Sequence, residues 1–457
     1  MTQLVVRNGT VVTPRATYAA DITIDGGRFV EIAAPGQLSL ATAPDEYDAT
    51  GQFVLPGIID GHVHFREPGL EYKEDWASGS RAAVMGGVTT VLEMPNTRPT
   101  TSTAEYVAHK RHLAEAKAYC DFGLFGLVAQ DNVEHLVPMA DAGIVGYKCF
   151  LGETTGHIPP PDDGTLLEAM RTVRSTGLRM GFHAENNAIL QHHIHALQAA
   201  GRHDPLAHLD SRPVVAELEA IQRAALFAYQ IGMPIHIFHL SSRQGLATVD
   251  EWRRKGIDVT CETTPHYCFL TSERMQTLGS LLRMNPPVRE PGHADPLLQG
   301  LVDGRIDVIA TDHAPHTLAE KLNEDIWLAA SGFAGVETSV RLFLTCAVNS
   351  GRMSLQDYVR VAAEGPARTW GLYPRKGAIE VGSDADLTIV DLAREGVVEA
   401  ARLHGKNNHT PFEGWRTTGE AVATIVRGQI VMRDGELVGA PRGRIVGRLS
   451  GGTDALA

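Results

Sequence analysis

Two histidines one residue apart, His62 and His64, follow the apolar run Leu55-Pro-Gly-Ile-Ile-Asp-Gly, at a spacing that can hold a metal ion. Side chains alternate in direction along a strand, so residues i and i+2 face one side, and two neutral imidazoles there can share one ion. Arg66 keeps the same parity and would present a fixed cation to the same cavity. Further along, polar residues close a series of short apolar runs: Asn96, Lys148, His183, His239, His266, Asn285, and Asp312 with His313 and His316. Four separate runs contribute good metal ligands, which chance placement does not explain. Two metals about 3.5–4 Å apart need a bridging anion. Lys148 supplies one only if carbon dioxide has carboxylated its amine; unmodified, it is a charge clamp. Asp312 has the chemistry to take a proton from a metal-held nucleophile and pass it to a leaving nitrogen. The residues alone therefore point to hydrolysis of an amide-like bond by a binuclear metal centre.

These residues need a scaffold that brings distant strand ends together. From Gly57 to about Gly371, short apolar strands alternate with longer helical segments. The strands are expected at 57–62, 89–94, 121–126, 143–148, 179–183, 235–239, 258–262 and 307–312, with helices at 78–85, 166–175, 213–230 and 247–255. Eight strands close a (β/α)8 TIM barrel, whose active site lies at the C-terminal strand ends. The two ends of the chain read differently. Leu4-Val-Val, Thr10-Val-Val, Asp21-Ile-Thr-Ile and Phe29-Val-Glu-Ile alternate around Asn8-Gly9 and Asp25-Gly-Gly27, both hairpin signals, and Ala385–Asp391, Ala421–Arg427 and Gln429–Arg433 repeat the texture. The expected fold is α/β: a small β-sandwich domain from residues 1–55 and 372–445, around a metal-dependent barrel at 56–371.

At 457 residues the chain is long enough for this arrangement, and 43% hydrophobic with 21% charged residues is a globular composition. A formal charge of −13 argues against nonspecific binding to nucleic acid or anionic membrane. The five cysteines, at 120, 149, 261, 268 and 346, form no Cys-x-x-Cys pair and fit reduced thiols. No secretory signal is read at the N-terminus and no apolar run reaches the ~20 residues of a membrane span. A cytoplasmic protein is expected.

The chain resembles the amidohydrolase superfamily, in its cyclic-amide branch of dihydroorotases, allantoinases and hydantoinases. The likeness runs from Pro56-Gly-Ile-Ile-Asp-Gly-His-Val-His64 to Gly382-Ser-Asp-Ala-Asp-Leu-Thr-Ile-Val390. It implies two zinc ions bridged by a hydroxide and by carboxylated Lys148. His62, His64, Lys148 and Asp312 would hold one, and Lys148, His183 and His239 the other, with Asp312 as catalytic acid and base. His64-Phe-Arg-Glu-Pro-Gly69 and Met94-Pro-Asn-Thr97 resemble dihydroorotases most closely. That likeness implies that Arg66 and Asn96 grip a substrate carboxylate, that Asn285 and His316 bind the ring or carboxylate, and that the reaction is the reversible opening of dihydroorotate in pyrimidine biosynthesis. An arginine fork suits a carboxylate, and a buried guanidinium without an anion is costly. Ser211–Gln222 and Tyr147-Lys-Cys-Phe150 resemble allantoinases at least as much, so allantoinase or hydantoinase activity is the alternative. Allantoin carries no carboxylate, which makes Arg66 the discriminating residue. A noncatalytic scaffold relative would lack ligands that are all present here. The likeness also implies a threonine loop that closes over substrate, here Thr154 and Thr155, and a homo-oligomer is expected.

Overall fold

The computed structural model describes residues 4–39, 45–156 and 158–447. Its N-terminal strands are β1 (Leu4–Val12), β2 (Thr17–Asp25), β3 (Arg28–Ala33), β4 (Glu46–Asp48) and β5 (Phe53–Pro56). The barrel strands follow as β6 (Ile58–Val63), β7 (Val88–Glu93), β8 (Asp121–Val128), β9 (Gly146–Phe150), β10 (Met180–His183), β11 (Ile235–Ile237), β12 (Val259–Thr263) and β13 (Val308–Ile309). The chain closes with β14 (Leu387–Val397), β15 (Arg416–Val426), β16 (Gln429–Arg433) and β17 (Glu436–Leu437).

β6 to β13 lie side by side in chain order and all in parallel. A parallel neighbour requires a crossover, and helices supply it. Asp75 and Ser78 form a capping box that starts helix Trp76–Met85. Asp162 caps helix Asp163–Thr176, which Gly177 ends in the left-handed conformation at φ +70°. The seam is closed by a bridge between Val63 and His313, with the His64 N–H donating to the His313 carbonyl at 2.8 Å. Every residue of β6 to β9 is buried, as expected of strands covered on both faces.

Trp370 and Phe238 stack inside the barrel, ring centroids 5.7 Å apart, and form its floor with Phe125 and Ile59. Small residues make room for them. A Cβ at Gly181 would lie 2.1 Å from the Phe238 ring and one at Gly146 2.7 Å from Trp370. With the floor sealed, access is from the C-terminal strand ends.

The other strands form one nine-stranded sheet in which β14 joins the C-terminal strands to β5, and β5 pairs with β1. The sheet domain drawn from both termini is therefore present. One local expectation is overturned. Asn8-Gly9 is a bulge inside the continuous strand β1, with Asn8 at φ +59° and its N–H held by Asp21 Oδ1 at 2.8 Å. Asp25-Gly-Gly27 does turn a hairpin, closing β2 onto β3 through the Asp25–Arg28 pair. Among the described residues, no helix is long and apolar enough to cross a membrane.

Candidate metal and substrate site

The structure gathers His62, His64, Arg66, Asn96, Lys148, His183, His239, Asn285, Asp312 and His316 at the barrel mouth, whereas His266 packs against Tyr267 and Phe333 and lines neither of the two cavities there. A cavity of about 600 Å³ is lined by Arg66, Asn96, Asn285 and His316 among others, and narrows into a small pocket walled by His62, His64, Lys148, His183, His239 and Asp312. The ligand atoms of His62, His64 and Asp312 lie within 4.8 Å of one another. Asp312 Oδ1 is 3.3 Å from His62 Nε2 and 3.1 Å from His64 Nε2. His183 Nδ1 and His239 Nε2 form a second pair, 2.9 Å apart.

The outward-facing nitrogens decide which lone pair is free. His62 Nδ1 donates to Glu262 Oε1 at 2.6 Å, His64 Nδ1 to Asn96 Oδ1 at 2.8 Å, and His183 Nε2 to Glu185 Oε2 at 3.0 Å. Each ring thus turns an unprotonated nitrogen inward, the orientation a metal ligand needs. Burial lowers the pKa of all four histidines, so the neutral form is favoured. Glu262 and Glu185 were not singled out from the sequence, although Glu262 falls in the strand expected at 258–262. Glu262 is the penultimate residue of β12, and Glu185 lies two residues after His183; their role depends on packing across strands. Burial alone would raise the Glu185 carboxyl, but Arg212 and His183 outweigh it and bring it down to about 2.

Lys148 projects into the barrel from β9, while its neighbours Tyr147 and Cys149 join the apolar layer outside. Its Nζ lies 3.8 Å from the Phe238 ring centroid and 5.1 Å from that of Phe150. Burial pulls this amine down to about 7, leaving a large neutral fraction at neutral pH, the form that can react with carbon dioxide. Burial pushes Asp312 in the opposite direction, to about 7. Three inward imidazole lone pairs, the His239 ring beside them, a carboxylate and a carboxylatable amine fit a divalent metal centre. His239 Nδ1 has no hydrogen-bond partner in this arrangement.

Backbone strain marks the same place. Arg66 (φ +66°), His239 (φ +38°) and Asp312 (φ +47°) occupy the left-handed region, which residues with a Cβ adopt infrequently; Asn8, Arg427 and Asp434 do so elsewhere in the molecule. Two expectations need refinement here. β6 ends at Val63, and its register against β7 shifts between Asp60 and Val63, so Arg66 reaches the cavity through a left-handed bend rather than by strand parity. His313 turns away from the metal pocket, with Nδ1 accepting the Gly335 N–H at 3.1 Å.

The substrate candidates fall into two kinds. Arg66 is buried, donates through Nε to the Pro315 carbonyl at 3.2 Å, and forms no ion pair among the described residues. Asn285 Oδ1 is buried and unpartnered. The Asn96 side chain is already engaged, its carbonyl with His64 and its amide with the Thr155 carbonyl at 3.2 Å. His316 contacts Lys73 Nζ at 3.0 Å through Nδ1 and the Ser331 carbonyl at 3.0 Å through Nε2. Thr154 and Thr155 lie over the pocket, and Thr155 Oγ1 donates to the Ser331 carbonyl at 3.1 Å.

The amidohydrolase family model matches residues 53–431. The allantoinase of Deinococcus radiodurans is 36% identical over 446 residues, covering 97% of this chain and 98% of that protein. The dihydroorotase of Halobacterium salinarum is 40% identical over 429 residues, covering 93% of this chain and 96% of that protein. The structure of L-hydantoinase (dihydropyrimidinase) from Arthrobacter aurescens superposes with a TM-score of 0.95 at 35% identity, over 98% of this chain and 100% of the other.

Proposed function

The chain belongs to the amidohydrolase family and hydrolyses cyclic amides, and from that premise we propose that it is a dihydroorotase, reversibly opening dihydroorotate to N-carbamoyl-aspartate. The observation that carries this choice is Arg66: a buried guanidinium at the cavity wall with no carboxylate partner among the described residues. Such a charge is expensive to keep unless a ligand supplies the anion. A substrate carboxylate supplies it, with the two parallel hydrogen bonds an arginine fork is shaped for.

His62, His64, Asp312 and carboxylated Lys148 would hold one zinc ion, and Lys148, His183 and His239 a second. When bound, the two ions supply polarisation of the scissile carbonyl and a nucleophile at neutral pH. The chain's own groups do the rest. Arg66 anchors the carboxylate and so fixes which ring bond lies over the metal pocket. Asn285 Oδ1, unpartnered, is placed to accept a ring N–H. Asp312, with its carboxyl near 7, accepts one proton and returns it to the departing ring nitrogen. Phe238 and Trp370 close the floor and keep bulk water from below.

The relatives named allantoinase and hydantoinase favour a second reading, a cyclic ureide without a carboxylate, and the 600 Å³ cavity has room for one. The deciding measurement is turnover by zinc-loaded protein on dihydroorotate, allantoin and hydantoin in parallel. Dihydroorotate is expected to be the preferred substrate. Hydrolysis of allantoin or hydantoin with none of dihydroorotate overturns the choice and leaves the metal site standing.

A further inference from the structure

His316 poses a proton-placement problem that its neighbours solve. Its Nδ1 lies 3.0 Å from Lys73 Nζ, and its Nε2 lies 3.0 Å from the Ser331 carbonyl and 3.1 Å from Arg66 Nη2. An ammonium has only donors and a carbonyl only acceptors. A ring with its proton on Nε2 satisfies both Lys73 and Ser331. The opposite tautomer satisfies neither, and would instead accept a hydrogen bond from Arg66. The charged groups around the ring are Arg66, Lys73, Lys321 and Glu320, whose Oε2 is 3.9 Å from Nδ1. Burial and the three cations hold the imidazole well below its ordinary pKa, so it is neutral and only its tautomer is in question.

Resting on the reading that Arg66 anchors a substrate carboxylate, we infer that Lys73 is a positioning residue for that anchor. By donating to His316 Nδ1 it places the imidazole proton on Nε2, and this removes the His316 ring as an acceptor for Arg66 Nη2. The guanidinium is then left with N–H groups unspent, available to an anion in the cavity. Lys73 is itself held in place by Glu320 Oε1 at 2.8 Å, and Tyr72 OH donates to the same oxygen at 3.1 Å. Helix Leu318–Lys321, begun by a Thr317–Glu320 capping box, thereby reports to the substrate pocket through one lysine. Without Lys73 the ring is free to move its proton to Nδ1, toward Glu320, and to take a hydrogen bond from Arg66. Arg66 would then be capped from within.

The test is the tautomer of His316, read from nitrogen-15 shifts of histidine-labelled, zinc-loaded full-length protein, with kinetics on dihydroorotate alongside. The parent protein should carry the proton on Nε2. Lys73→Met should move it to Nδ1 and raise KM on the order of tenfold to a hundredfold with kcat little changed, the size of one hydrogen bond to a charged group. Lys73→Arg, which still donates to Nδ1, should restore both. Glu320→Gln weakens the same loop contact but leaves the ammonium on Nδ1, so it should keep the Nε2–H tautomer. A proton on Nδ1 in the parent protein, or a Lys73→Met protein with unchanged tautomer and KM, overturns the inference. The tautomer is read without substrate, so failure of the dihydroorotase assignment and failure of the Lys73 role are separable.

Discussion

The two ends of the barrel handle buried charge in opposite ways. At the base, the Lys376 ammonium is fully buried and touches three carboxylates: Asp121 and Asp386 at 2.6 Å and Asp384 at 3.1 Å. Arg427 and Arg375 complete the set, pairing with Asp121 and Asp384. At the mouth, Arg66 forms no ion pair among the described residues, Lys148 lies against aromatic rings, and Asn285 Oδ1 and His239 Nδ1 have no partner. The base, where Asp121 starts β8 and Asp386 precedes β14, uses its charges to fix the sheet domain to the barrel. The mouth leaves bonding capacity unspent, which is what the proposed metal and substrate would use.

Substitutions at the two ends should separate activity from stability. Asp312→Asn should lower kcat by about 10²–10⁴-fold, the typical contribution of a general acid–base group. Its melting temperature should not fall, because the replaced carboxylate was costly to bury. Lys376→Met should do the reverse. Stranding buried carboxylates costs about 3–5 kcal/mol of folding free energy, measured by denaturant titration, while the folded protein keeps its kcat/KM. If Asp312→Asn proves as destabilising as Lys376→Met, the contrast between the two ends is wrong. Arg66→Ala should lose about 2–5 kcal/mol in kcat/KM on dihydroorotate, chiefly through KM, and leave any allantoin or hydantoin turnover nearly untouched. Glu262→Gln sharpens the comparison further. It weakens the acceptor that orients His62 and should reduce metal affinity about 10–100-fold, measured by competition with a chelator.

Much of the mouth was legible in the sequence because each candidate ligand ends an apolar run, and the barrel rule says that such ends converge. What holds the ligands was less legible. Glu262 reaches His62 across 200 residues, a relation that no local spacing encodes. His316 was expected to touch substrate; in the structure its two nitrogens contact Lys73 and Ser331, groups that become neighbours only after folding. Asn8-Gly9 carries a genuine turn signal, yet Asn8 at positive φ serves a bulge equally well, and pairing with β2 on both sides of it keeps the strand continuous. Arg66 was placed in the right cavity for an incomplete reason, since strand parity stops at Val63.

The seam of the barrel has a consequence for how the protein is made. His64 and Asp312, 3.1 Å apart in the finished molecule, are separated by 248 residues of chain and lie just beyond its first and last barrel strands. At roughly 5–20 residues per second, His62 and His64 leave the ribosome about 12–50 s before Asp312 exists. During that interval the growing chain comes to carry His62, His64, Lys148, His183 and His239 but not the Asp312 carboxylate. A metal centre that needs Asp312 would be complete only after the barrel has been synthesised through to its last strand.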